Sequence, residues 1–259
     1  NLVKYLPSTT DPCGQVKYPI RNDNNEAQFL GRIDYQRTAG DTMFGRYMAT
    51  SYTKPIPMTD ADTVLSLYDA ANTRNESGLD DLAQSLAVGD TRVFGSNTVN
   101  SLRFAFNRSA VSRLAPATFD PYDLGSDVYS YHPDVMFMTI QGAFFAQNPG
   151  PSRFVTNASQ VSDDLTLVRG DHQMSVGASV AYWKYYFQSH ARSGGTWTFT
   201  GQLTGLGLSD LLMGRVGRLE HGGPAILPMD QWYVGLYAQD TWRATSRVTI
   251  NAGLRWEPY

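Results

Sequence analysis

Segments about ten residues long, in which apolar and polar residues alternate one by one, recur along this chain and constrain its fold more than any other feature. The last segment shows the pattern most fully. Val248, Ile250, Ala252, Leu254 and Trp256 form one set, and Thr249, Asn251, Gly253, Arg255 and Glu257 the other. Successive side chains of a β-strand point to opposite faces, so this segment has an apolar face and a polar one. The segment before it sets Trp232, Val234, Leu236 and Ala238 against Gln231, Tyr233, Gly235, Tyr237 and Gln239. The polar turn Ala244-Thr245-Ser246-Arg247 leads from one segment to the next, which predicts a hairpin over 231–257.

Three earlier hairpins follow the same rule, near 28–52, 82–108 and 158–187. Their turns are Thr38-Ala39-Gly40-Asp41, Phe94-Gly95-Ser96-Asn97 and Arg169-Gly170-Asp171-His172. Residues 1–27 read as an irregular lead-in. The connections between hairpins are long, over roughly 53–80, 114–157 and 190–230, and they hold most of the prolines. Only 209–213 reads as a helical turn.

Compact soluble domains rarely hold several structureless loops longer than ~12–15 residues. Membrane β-barrels do, with short periplasmic turns and long extracellular loops in alternation. A soluble β-sandwich would also alternate, but its strands are typically ~5–6 residues. These are nearer the ~9–11 that cross a bilayer at a tilt. Tyr35, Tyr47, Tyr52, Tyr182, Trp183, Trp232, Tyr233, Trp242 and Trp256 lie near segment ends, as the aromatic girdles of barrels require. The expected class is therefore all-β, an antiparallel transmembrane β-barrel in the bacterial outer membrane, with outer-membrane lipid as its surroundings.

Composition closes other routes. Charged residues make up 17% of the 259 residues and the net charge is −3, which gives no basic footprint for nucleic acid. The single cysteine, Cys13, excludes an internal disulfide and any multi-cysteine metal site. No apolar run approaches the ~18 residues of a spanning helix. Asn1 stands first and no signal peptide follows it, which is the expectation for a processed chain or a piece of a longer one.

The wording of the segments adds a family resemblance. Tyr233-Val234-Gly235-Leu236-Tyr237-Ala238-Gln239-Asp240-Thr241-Trp242-Arg243, followed by Arg247-Val248-Thr249-Ile250-Asn251-Ala252-Gly253-Leu254-Arg255-Trp256-Glu257, resembles the paired-strand signature of TonB-dependent outer-membrane receptors. Phe29-Leu30-Gly31-Arg32-Ile33-Asp34-Tyr35 with Phe44-Gly45-Arg46-Tyr47 is similar to the early barrel of the Oar-like subgroup, which usually carries a carboxypeptidase-regulatory-like domain. Val99-Asn100-Ser101-Leu102-Arg103-Phe104-Ala105-Phe106-Asn107-Arg108 and Asp171-His172-Gln173-Met174-Ser175-Val176-Gly177 fit the same pattern. Members of that family are longer, with a plug domain, an energy-coupling box and a barrel of ~22 strands. About eight strands are legible here, with no plug segment, so 28–259 reads as a partial barrel. The alternative is a complete small eight-stranded barrel acting as an anchor or adhesin; its first and last strands would pair with each other.

The resemblance implies energy-coupled passage of a bulky ligand, driven by the TonB complex through a plug absent from this chain. It implies that lumen-facing polar residues contact that plug; the candidates are Arg32, Asp34, Arg103, Asn251, Arg255 and Glu257, with Gln36, Asn107, Gln160, Asp164 and Thr166 on the same wall. The long loops would meet the external ligand, a siderophore, carbohydrate or peptide, through aromatics such as Tyr129, Tyr131, Phe144, Phe145 and Trp197. Tyr68, Tyr122 and Phe199 belong with them.

No catalytic residue, cofactor or metal site is expected. Asp163-Asp164 and Asp80-Asp81 face opposite sides of their strands, so neither pair converges on a substrate. Asp120, Asp123 and Asp127, or Asp60 and Asp62, lack the ligand pattern of a calcium loop. His132, His172, His190 and His221 show no ligand spacing, although His190 and His221 share a loop and could meet. Arg169-Gly170-Asp171 fits a tight turn better than an adhesion motif. The sequons at Asn75, Asn107 and Asn157 are expected to be unmodified in a bacterial chain.

Overall fold

The computed structural model describes residues 1–5, 10–13, 23–56, 77–147 and 150–258. Asp60, Asp62, Tyr68 and Asn75 lie outside the described residues. The long strands are paired in four hairpins. They are β1 (Asn25–Thr38) with β2 (Asp41–Lys54), and β3 (Gly78–Phe94) with β4 (Thr98–Leu114). In the long connection that follows lie β5 (Phe137–Ile140) and β6 (Phe144–Gln147). The third hairpin joins β7 (Ser152–Arg169) to β8 (His172–Ser189). Then come β9 (Thr196–Phe199), the helix α1 (Gly207–Leu212) and β10 (Arg218–Glu220). The last hairpin is β11 (Ala225–Thr245) with β12 (Val248–Trp256).

Eight of these form one antiparallel sheet in the order β1-β2-β3-β4-β7-β8-β11-β12. Among the described residues β1 and β12 do not pair with each other, so the closed eight-stranded cylinder is not formed. Strands of 18 to 21 residues exceed the ~9–11 needed to cross hydrocarbon, so β7, β8 and β11 continue well past it toward the long connections.

Register decides which residues share a face, because partners directly opposite each other project to the same side. One row runs Ile33, Gly45, Val88, Phe104, Val161, Val180 and Val234 from β1 to β11. On the opposite face lies Gln36, Thr42, Thr91, Ser101, Asp164, Gly177, Tyr237 and Arg255. The first face suits lipid and the second water. Trp256 pairs with Leu236, and Ile250 with Trp242, on the apolar side, while Arg255 and Asn251 pair with Tyr237 and Thr241 on the polar one.

The girdle expectation needs correction at three positions. Tyr52 pairs with Asp81, Trp183 with Ala158 and Gln231, and Tyr233 with Ala181, which puts all three on the polar face. Tyr35, Tyr47, Tyr182, Trp232, Trp242 and Trp256 take the apolar one. The apolar face also ends sooner than alternation implies. Toward the short turns it carries Asp90, Asp163 and Asp240, each with a polar partner. Arg92 Nε lies 2.9 Å from Asp90, Asn100 Nδ2 donates to Asp163 at 2.6 Å, and His172 Nδ1 meets Asp240 at 2.6 Å. Charges there belong at head-group level, so they mark the lower edge of the hydrocarbon band.

The long connections are not structureless. β10, β9, β5 and β6 form a second sheet in that order, with β5 and β9 parallel although they come from two different connections. Its core holds Phe119, Met136, Met138, Ile140, Ala146, Trp197 and Phe199. The lead-in contributes too: a short 3₁₀ turn (Leu2–Tyr5) lays Tyr5 against Phe119 at 5.0 Å between ring centroids. The two connections meet backbone to backbone at Gly194, where an added Cβ would sit 1.4 Å from the Val135 carbonyl oxygen. Only glycine permits that approach.

The predicted helical turn is α1, and it buries Asp210. Asp210 Oδ1 accepts from the Thr204 hydroxyl at 2.7 Å and the Thr204 backbone N–H at 2.9 Å. The Thr204 hydroxyl, outweighing burial, holds the Asp210 carboxyl below its ordinary value. A depressed carboxyl contributes stability above the unfolded value of about 4 that is lost as pH falls through the folded one. The 200–215 segment is therefore expected to loosen first on acidification below about pH 4. Hydrogen exchange across pH 3–7 would show it, and Asp210→Asn should remove the pH dependence of that segment; an unchanged profile in the variant would refute the assignment.

Candidate functional site

The polar face is where side chains of distant strands converge. Tyr237, on β11, donates its hydroxyl proton to Asp164 Oδ1 on β7 at 2.7 Å, across the intervening strand β8. The reach is possible because β8 has Gly177 between them: a Cβ there would lie 2.3 Å from the tyrosine ring and 2.6 Å from Asp164. Arg103, on β4, sets its guanidinium 3.6 Å from the other carboxylate oxygen. Three strands are thus tied through one carboxylate.

A second group closes the face at β12. Tyr233 donates to Glu257 at 2.6 Å and accepts from Arg255 Nη2 at 2.8 Å, while Arg255 Nε pairs with Glu257. At the other edge Arg32 and Asp34 form a two-point pair, at 2.6 and 2.8 Å. The Arg32 guanidinium lies over the Phe44 ring, 4.6 Å from its centroid. Phe44 in turn lies across Gly89, where a Cβ would come within 2.3 Å of it. Of the expected polar residues, the structure brings Arg103 and Asp164 together, Arg255 and Glu257 together, and Arg32 and Asp34 together. Asn251 shares their face, one strand register from Thr241.

Sequence reasoning missed Tyr237, and placed Tyr233 in the girdle. The available signal was their position: both occupy the polar phase of β11, opposite small residues of β8. Gly177→Ala should push the Tyr237 ring aside and break its bond to Asp164, at a cost of about 1–3 kcal/mol. Denaturant unfolding in detergent checks this, and Tyr237→Phe with Gly177→Ala in one chain should cost no more than the larger single change.

The loop aromatics divide. Tyr129 and Tyr131 are 61% and 49% exposed, stand edge to face at 5.0 Å, and extend to the His221 ring, 5.4 Å from Tyr131. His221 Nε2 donates to the Tyr129 carbonyl at 2.6 Å, which fixes the three as one shelf. Tyr122 is exposed as well. Trp197 and Phe199 are core instead, and Trp197 Nε1 donates to the Gly194 carbonyl at 3.0 Å. Phe144 packs on that core and Phe145 is half-buried. Burial thus takes Trp197 out of any ligand surface.

His190 does not meet His221. It faces His132 at 4.7 Å, and burial together with His132 pushes its imidazole below the ordinary value. Asp120 and Asp123 each accept the other's backbone N–H, at 3.1 and 3.0 Å, as turn residues do. Among the described residues no three His, Cys, Asp or Glu side chains are arranged to hold a metal ion.

Comparison with known proteins bears on the fold. No protein of curated function matches the sequence. The fold resembles the outer membrane transporter YddB from Escherichia coli, with a TM-score of 0.57 and 12% identity over 95% of this chain and 29% of that one. It also aligns with the ferric-catecholate import receptor Fiu of E. coli K12 in its open form, at a TM-score of 0.44 and 16% identity, over 91% of this chain and 35% of that one. The chain spans about a third of the length of these solved structures or less. The sequence matches the outer membrane beta barrel domain over residues 1–259, and the chain belongs to that family.

Proposed function

We propose that this chain forms part of the barrel of a TonB-dependent receptor of the Oar-like kind, which binds an external ligand on its long loops and passes it through a plugged lumen. The observation that carries the reading is the eight-stranded sheet, whose outer edges at β1 and β12 have no strand partner among the described residues, with a polar face crossed by ion-pair and tyrosine networks. Open edges cannot face hydrocarbon, since each unpaired backbone group costs several kcal/mol there, about as much as a strong contact. Further strands of a larger barrel would cover them. A lumen wider than side chains can fill needs a polar wall, and Arg32, Asp34, Arg103, Asn251, Arg255 and Glu257 would meet a plug there. The Tyr129–Tyr131–His221 shelf suits the flat faces of a sugar, a peptide or an aromatic siderophore.

A photo-crosslinking residue at position 255, in cells, tests the plug contact. The expected product is a crosslink within protein, altered by loss of TonB. Crosslinking to lipid, or a pattern indifferent to TonB, would overturn the reading.

A further inference from the structure

We propose that the lipid-facing side of β1–β4 holds one zwitterionic glycerophospholipid of the periplasmic leaflet, its acyl chain in a groove and its phosphate on Arg37 and Arg92. The groove, about 480 Å³, is lined by Ile33, Tyr35, Met43, Gly45, Val88 and Phe104, among others, and is almost wholly apolar. Gly45 makes it. An added Cβ there meets only Val88 Cγ1, at 3.9 Å, so the missing side chain leaves open space in the middle of an apolar row.

The groove ends toward the short turns at a four-residue ion network. Asp41, itself buried, pairs with Arg37 and lies 3.4 Å from Arg92, whose Nε is 2.9 Å from Asp90. The network carries two positive and two negative charges, and its carboxylates are not saturated: Asp41 Oδ1 and Asp90 Oδ1 are enclosed without a hydrogen-bond partner. Its accessible members are the Arg37 and Arg92 side chains, 47% and 42% exposed, and guanidinium is suited to phosphate oxygens. Short turns face the periplasm in such barrels, so the phosphate level of the inner leaflet coincides with this network. A head group with no net charge matches a network with none, whereas an anionic lipid would add an unbalanced charge. The apolar groove directly above takes the chain of the same molecule.

The experiment is native mass spectrometry of the protein purified in mild detergent and exposed to equal amounts of phosphatidylethanolamine and phosphatidylglycerol. The expected result is one phosphatidylethanolamine retained per chain, reduced at least tenfold by Gly45→Leu, which fills the groove, and by Arg92→Gln. Heat-modifiable migration on gels identifies variants that still fold, and Gly45→Leu keeps the test open if Arg92→Gln does not. Retention equal in wild type and Gly45→Leu, several lipids exchanging without preference, or a preference for phosphatidylglycerol would each overturn the proposal.

Discussion

Trp197→Ala is expected to unfold the outer sheet rather than merely weaken a ligand contact. The indole is 6% exposed, packs among Phe119, Met138 and Phe199, and donates to the Gly194 carbonyl at 3.0 Å. Truncating a buried tryptophan costs about 3–5 kcal/mol, a large share of what a small packed unit has. The readout is limited proteolysis of the protein in detergent. Cleavage should appear within 115–147 and 190–224, while the eight-stranded sheet stays resistant. Tyr129→Ala, at an exposed ring, should leave the proteolysis pattern unchanged. A resistant Trp197→Ala protein would show that the indole is not the core of this unit.

Val234→Arg should destabilise the membrane-embedded sheet by about 2–4 kcal/mol, the cost of arginine on a lipid face near mid-membrane. Val234 closes the apolar row through Val180 and Val161, with Trp232 and Leu236 beside it on the same face. Gln239→Arg, five residues on and on the opposite face next to Ser175 and Gly253, should change stability by about 0.5 kcal/mol or less. Reversible urea unfolding of protein folded into vesicles measures both. Equal effects, or the larger one at Gln239, would reverse the assignment of faces, because a one-residue slip exchanges every side chain between lipid and water.

The candidate site was legible in part. Arg103, Arg255 and Glu257 fall in the polar phase of their strands, and phase alone sends them to one face. The part of Tyr237 was not legible, since it reaches Asp164 only because Gly177 lies between them on a strand 60 residues away in sequence from Tyr237. The lipid-side network of Arg37, Asp41, Asp90 and Arg92 was equally hidden. Each of these residues reads as a turn or strand-end charge until the register of β1, β2 and β3 sets them side by side.

Alternation by itself determined the eight long strands, their pairing into hairpins and the division of each into an apolar and a polar side. Those are local consequences of a two-residue period, and each hairpin is closed by a turn of a few residues. The small outer sheet was decided only in three dimensions. Four-residue strands such as Thr196–Phe199 are too short to carry a period, and β9 pairs in parallel with β5 from another connection. Nothing adjacent in sequence specifies such a pairing. What specifies it is burial: Trp197, Phe199, Met138 and Ile140 leave water only when the two connections meet, and the contact at Gly194 allows them to.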